Sequence, residues 1–171
     1  MDQSEPSTTH PNVQAVVAAA TAAGLDVTPS EFPDGTRTAA DAAAAVDADV
    51  SCIVKTLVFR VVGGEAGDRI VLALVGGADR LDEARLAVAA GAERAERVDA
   101  DVVRDATGYP IGGVPPFGHP APLPTWIDDA LLGHDEVWAA AGTPRHVFPL
   151  PPQALVAATG ATVAVIRVEA P

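Results

Sequence analysis

The most strongly patterned part of the chain is a pair of apolar runs, "CIVKTLVFRVV" (52–62) and "RIVLALVG" (69–76), joined by a loop with glycines at 63, 64 and 67. Two β-rich runs separated by a short glycine-containing connection predict an antiparallel hairpin. Upstream, Pro11 suits a helix first turn, and Val13, Val16, Val17 and Ala20 recur on one face before Gly24. "LDVTPSEFP" (25–33) reads as a weak strand that runs into a Pro33-Asp34-Gly35 turn. Thr38 followed by Asp41 resembles a capping box and opens an alanine helix to about Asp47.

Beyond the hairpin, "ADRLDEARLAVAAG" (78–91) has helical spacing, with Leu81, Ala84, Arg85, Val88 and Ala89 on one face and Gly91 placed to end it. "AERVD" (95–99) reads as a short strand, and Asp99 caps a short helix through Arg104. "EVWAAAG" (136–142) and "VAVIRVE" (163–169) read as later strands, with a proline-initiated helix, "PPQALVAATG" (151–160), between them. Helices and strands interleave irregularly around at least one hairpin, which predicts an α+β fold with a mixed sheet. Residues 1–10 are expected to be disordered, and 11–171 to form a single domain.

Composition narrows the function. The 171 residues suffice for one sizeable core, and no apolar run is long enough to span a bilayer. The N-terminus is acidic and polar rather than signal-like, and one cysteine cannot form an internal disulfide, so a cytoplasmic protein is expected. Net charge is −12, which argues against a broad nucleic-acid footprint. The charge is unevenly spread. Residues 1–50 carry one cation against eight carboxylates, 51–100 seven against eight, and 101–171 three against seven. No Asp or Glu occurs in 50–64, 106–127 or 137–168. If these stretches meet in the fold, they form a neutral-to-positive cleft in an acidic body, able to admit one anionic group.

Candidate chemistry begins at Lys55. It is the only lysine beside ten arginines, and it sits in a strand where Ile53 and Leu57 share its face. An exposed cation that snorkels to solvent could have been arginine, as elsewhere in the chain. A compact ammonium in a narrow site is the better account. The second candidate is "TGYPIGGVPPFGH" (107–119), part of the uncharged region 106–127 whose four glycines and six prolines predict a rigid loop. Gly112-Gly113 can bring main-chain donors and acceptors against a ligand. It is neither a Walker A loop nor a dinucleotide fingerprint. The third is "WAAAGTPRHVFPL" (138–150), where Gly142 ends an apolar strand and Thr143, Arg145 and His146 follow. His146 is a candidate proton shuttle or orienting donor, with a surface loop histidine as the bland alternative. Cys52, in an apolar strand, is read as core. Asp128-Asp129 is discounted as a carboxylate pair because strand neighbours face opposite ways. No metal-ligand spacing is present, and no cofactor is implied.

In this order, the segments "CIVKTLVF", "VLALVGGADRLDEARLAVAAGAERAERVDADVVRDATGY", "IGGVPPFGH", "LPTWIDDALL" and "VWAAAGTPRHVFPLPPQAL" resemble the YbaK/EbsC family, stand-alone relatives of the editing domain of bacterial prolyl-tRNA synthetases. The resemblance runs from about residue 11 to 169. It implies a strongly bent, barrel-like mixed sheet flanked by helices, and a trans-editing hydrolase that frees the wrong amino acid from the terminal adenosine of a mischarged tRNA, with Lys55 and a Gly-Gly backbone pocket positioning the substrate and either water or the ribose 2′-OH. It places Lys55 in the pocket near the tRNA 3′ CCA end as the catalytic residue. Thr56, Gly108, Gly112, Gly113, Gly142 and His146 become the expected substrate-binding residues, with an aminoacyl-tRNA synthetase as a possible partner. The chain departs from relatives that carry asparagine after the lysine, where Thr56 stands, and from those with serine in the strand matched by "WAAAG". The alternatives are a non-catalytic module that binds aminoacyl-tRNA or a synthetase, and a Schiff-base enzyme built on Lys55.

Overall fold

The computed structural model describes residues 5–6 and 10–169. Most of the segment expected to be disordered, 1–10, lies outside the described residues. Within it, β1 (Glu5–Pro6) pairs with β2 (Ser30–Glu31), and the His10 side chain caps α1 (Pro11–Ala22) by accepting from Asn12 N at 3.1 Å. The two long apolar runs form the expected hairpin, β3 (Val54–Val62) with β4 (Arg69–Gly76), in register from Val54↔Gly76 to Val61↔Arg69. Between α1 and β3 stands α2 (Ala39–Val46), opened by the Thr38 hydroxyl, which accepts from Asp41 N at 3.0 Å.

After the hairpin come α3 (Glu83–Ala89), β5 (Arg94–Arg97) and α4 (Ala100–Thr107). The remainder is β6 (Thr125–Asp128), β7 (Val137–Ala140), β8 (His146–Leu150), α5 (Pro152–Thr159) and β9 (Thr162–Ala164). The α+β class and the mixed sheet are as expected. The sheet is not closed into a barrel: there are two sheets, ordered β1-β2-β8-β7 and β5-β3-β4-β6-β9. In the larger one β6 runs parallel to both β4 and β9, and the other pairings are antiparallel.

The large sheet is apolar on both faces, which is why β4 reads as an unbroken hydrophobic run rather than an alternation. Leu72 and Leu74 pack on one side with Val58, Ile127 and Phe148. Val71, Ala73 and Val75 pack on the other with Phe59, Leu86 and Trp126. Each fully buried Leu or Val contributes about 1.5–3 kcal/mol. A third cluster joins Phe32, Ala42, Ala43, Ile53 and Val147.

Two local expectations are corrected, and one strand is found where none was assigned. Helix α3 begins only at Glu83, because Asp82 caps it by accepting from Arg85 N at 3.1 Å. Leu81 is thereby left outside, in a bridge to Arg167, so the buried face is set by Leu86 and Ala87 while Val88 is 80% exposed. The short strand β6 was hidden among prolines. His146 does not lie in a loop: it opens strand β8, whose Pro149 is tolerated because β2 covers only His146 and Val147 on that side.

One pairing pattern positions the site. Along one edge β3 is covered by β4 throughout. Along the other it meets β5 only from Phe59 to Val62, and β7 only through the single bridge Ile53↔Trp138. Residues 54–58 therefore have no partner strand on that edge. Over about 3.3 Å per residue this leaves a gap of roughly 16 Å.

Candidate functional site: a cavity at the open edge of one strand

A cavity of about 580 Å³ opens along this gap, and every residue from Val54 to Val58 lines it. All three acid-free stretches reach it, through Ile53 to Phe59, through Ile111, Gly112 and Val114, and through Trp138, Ala140 and Val147. The cationic side chains in the lining are Lys55, Arg37, Arg80 and Arg97, drawn from a chain of net charge −12. The one lining carboxylate, Glu83, is paired with Arg97 at 3.4 Å. Arg37 and Arg80 have no ion-pair partner among the described residues. The cavity is locally electropositive on an acidic body.

Lys55 and Thr56 alternate on β3, so their side chains leave opposite faces of the strand. Both line the cavity because it sits at the strand's open edge rather than on one face. The Lys55 ammonium donates to the main-chain carbonyl of Asp79. Burial lowers its pKa from the ordinary lysine value, and the Asp79 charge offsets this in part. The Thr56 hydroxyl is buried and has no hydrogen-bond partner among the described residues.

Gly112 also lines the cavity. Its φ is 86°, and a Cβ there would lie 2.9 Å from Arg37 Cγ. Gly113 is excluded from bearing a side chain by the backbone behind it, since an added Cβ would stand 2.7–2.8 Å from N, Cα and C of Thr143. The turn is held by Gly113 N donating to Pro110 O at 3.0 Å. Farther along, the Tyr109 hydroxyl donates to Gly118 O at 3.1 Å, His119 Nε2 lies 2.8 Å from Pro115 O, and Phe117 packs edge-on against Phe148. Proline restriction and these braces together hold the loop. His119 has its pKa lowered by burial, partly offset by the Pro115 carbonyl.

Of the residues expected at the site, Lys55, Thr56 and Gly112 meet at the cavity. Gly113, Gly108, Gly142 and His146 are not in its lining. Gly113 stands directly behind Gly112. Gly108 ends α4 in the left-handed region at φ 82°, its N–H donating to Arg104 O. Gly142, at φ 100°, accepts from Asn12 Nδ2 at 2.9 Å, and a Cβ there would strike Asn12.

His146 is 4% exposed. The Thr143 hydroxyl accepts from Arg145 N at 3.1 Å and shares a second hydrogen bond with His146 Nδ1 at 2.5 Å. His146 Nε2 has no hydrogen-bond partner among the described residues and lies 4.0 Å from Glu31 Oε2. Burial lowers the His146 pKa, with Glu31 opposing and His10 and Arg145 reinforcing. Its place is behind the cavity wall, buttressing the Thr143 backbone on which Gly113 rests. Sequence reasoning missed the arginines at 37, 80 and 97. They are scattered over some sixty positions, and only the acid-free stretches hinted at where positive potential would gather.

Comparison with known proteins gives the family. Residues 33–158 match the family described as the aminoacyl-tRNA editing domain. The chain is 32% identical over 130 residues to "Uncharacterized protein YwhH" of Bacillus subtilis (strain 168), covering 76% of this chain and 78% of that one. It is 31% identical over 107 residues to "Putative Cys-tRNA(Pro)/Cys-tRNA(Cys) deacylase EbsC" of Enterococcus faecalis (strain ATCC 700802 / V583), covering 63% of each. A crystal structure of "a putative trans-editing enzyme for prolyl tRNA synthetase" superimposes with a TM-score of 0.84 at 44% identity, covering 94% of this chain and 99% of that one. The match to the editing-domain family covers the hairpin, the glycine turn and the strands behind it, and the chain belongs to the aminoacyl-tRNA editing domain family, in its YbaK/EbsC group.

Proposed function

We propose that this protein is a trans-editing hydrolase that deacylates mischarged aminoacyl-tRNA at the ester of the 3′-terminal adenosine. Water adds to the ester carbonyl, the carbonyl carbon–ribose oxygen bond breaks, and the free amino acid leaves a tRNA whose terminal hydroxyl is restored. An aminoacyl ester is already activated, so positioning and charge stabilisation supply the catalysis. Lys55 is the catalytic residue, a point charge at the ester and its neighbouring phosphate. The Gly112 main chain, with Gly113 fixing it from behind, orients the aminoacyl group beside Thr56. Arg37 and Arg80 take phosphates of the single-stranded CCA end, which reconciles an acidic body with a nucleic-acid substrate.

The observation that carries this reading is one ammonium, held by a main-chain carbonyl at the open edge of β3, in a cavity that the Gly112 turn also lines. The test is a deacylation assay on a panel of mischarged tRNAs. Turnover of at least one member, lowered about a hundredfold (~3 kcal/mol) by Lys55→Ala with the fold intact, is expected. No turnover on any member would overturn the hydrolase in favour of a binding module. The lowered Lys55 pKa also suits a Schiff-base lysine. Borohydride treatment with carbonyl compounds separates the two, since a deacylase gives no trapped adduct.

A further inference from the structure

In an antiparallel sheet a residue turns its N–H and C=O to the same side, and successive residues alternate. Three hydrogen bonds fix that phase along β3. Ile53 O, just before the strand, accepts from Gly77 N on the β4 side at 2.7 Å. Val62 O accepts from Glu93 N, next to β5, at 2.8 Å on the other side. Leu72, directly opposite Val58, turns its N–H away from β3, to Pro124 O at 2.9 Å. The odd-numbered residues of β3 therefore bond to β4, and the even-numbered ones face the other edge. Thr56 stands at the centre of the stretch that has no partner strand on that edge. Both of its main-chain groups point into the gap, and no hydrogen bond reaches either among the described residues. Thr56 lines the cavity and is partly exposed although its hydroxyl is buried.

We propose that the aminoacyl group of the substrate is held as a one-residue strand against Thr56. Its amine donates to Thr56 O and its ester carbonyl accepts from Thr56 N–H, the two bonds that opposed residues of an antiparallel pair exchange. This rests on the deacylase reading above. It adds to that reading a main-chain donor at the carbonyl oxygen, where negative charge develops as water adds. The pairing also sets handedness. Opposed residues of an antiparallel pair carry their side chains on the same face. An L-aminoacyl side chain then leaves on the face of Thr56 and Val58, where Val103 and Val114 of the lining pack. A D-aminoacyl group making the same two bonds would turn its side chain to the face of Lys55 and Leu57.

The test is amide hydrogen exchange followed by NMR on the whole chain. The probe is non-hydrolysable 3′-(L-alanylamido)-3′-deoxyadenosine, and its counterpart without the acyl group is 3′-amino-3′-deoxyadenosine. In the free chain the Thr56 amide should exchange more than about tenfold faster than those of Lys55 and Leu57, which the β4 ladder protects. Saturating L-alanyl probe should slow Thr56 by about tenfold or more, and the counterpart should leave it unchanged. The D-alanyl epimer should bind about tenfold more weakly, as for the loss of one hydrogen bond. Thr56→Pro deletes the cavity-facing N–H without removing a β4 bond, and should weaken the L-alanyl probe alone while Lys55 and Leu57 stay protected. If that variant does not fold, exchange in the wild type decides. A Thr56 amide already slow in the free chain, unprotected in the probe complex, or protected equally by the counterpart would overturn the proposal. Equal affinity for the two epimers, or no binding of the L-alanyl probe, would do the same. Protection and turnover are read apart. Protection in a chain that hydrolyses no mischarged tRNA would sink the deacylase reading alone, and turnover without protection would sink this pairing alone.

Discussion

Replacing Gly113 by alanine tests whether the wall behind the cavity is as rigid as its packing implies. The added methyl would stand 2.7, 2.7 and 2.8 Å from the C, Cα and N atoms of Thr143, against an ordinary contact of at least 3.4 Å, so about 0.7 Å must be found. All three atoms are backbone. Their segment is pinned by the Thr143–His146 hydrogen bond and by Thr36 N on Pro144 O, and no side chain can swing aside. The smaller resistance lies on the other side, so the Gly112 turn moves into the cavity. A misplacement of about 1 Å can cost about a hundredfold in rate, and roughly ten- to hundredfold in kcat/KM is expected here, with ~1–3 kcal/mol of stability lost to overpacking. Single-turnover deacylation and thermal unfolding read the two effects. Gly133→Ala, which meets nothing within 4 Å, is the control. Wild-type kcat/KM in Gly113→Ala alongside a lowered Tm would refute the reasoning, because the strain would have been absorbed away from the site.

Lys55→Met should remove activity yet raise stability in urea at neutral pH. The folded chain holds this cation at a pKa below that of the unfolded chain, so burying it charged opposes folding at all pH values below that window. A loss of stability would show that Lys55 is structural. Asp128→Asn should cost about 3–5 kcal/mol in denaturant unfolding. The buried carboxylate accepts from Ile166 N at 2.9 Å and Arg167 N at 3.1 Å through one oxygen, and from Ala130 N at 3.2 Å and Arg167 Nη1 at 3.0 Å through the other. An amide would set a donor against two of these four donors; a change below 1 kcal/mol would contradict the arrangement. Below about pH 6.5 the unfolded chain binds a proton that buried His146 resists, so stability should fall as pH drops through that value. His146→Gln should flatten that slope in pH-dependent melts, and an unchanged slope would remove His146 as its source.

The parts of the fold that sequence made legible are those decided locally. Thr38 and Asp99 cap the helices they were expected to cap, Pro11 and Pro152 stand at helix starts, and the β3–β4 hairpin follows from its two apolar runs. What escaped is decided at long range. β6 owes its existence to parallel neighbours at Leu72–Leu74 and Thr162–Ala164, remote in sequence. The face of α3 turned on whether Leu81 joined the helix or bridged to Arg167. Lys55 and Gly112 stood out because their types are costly or rare where they occur.

The break in the pairing of β3 also guards the molecule. An unpartnered strand edge ordinarily invites strands of other chains to dock and aggregate. Here the vacancy is only five residues long and is bounded at its ends by β5 and β7, which limits how much of a foreign chain can pair with it. The same limit applies to any ligand that lies along this edge, which can engage no more than five residues of main chain before it meets β5 or β7.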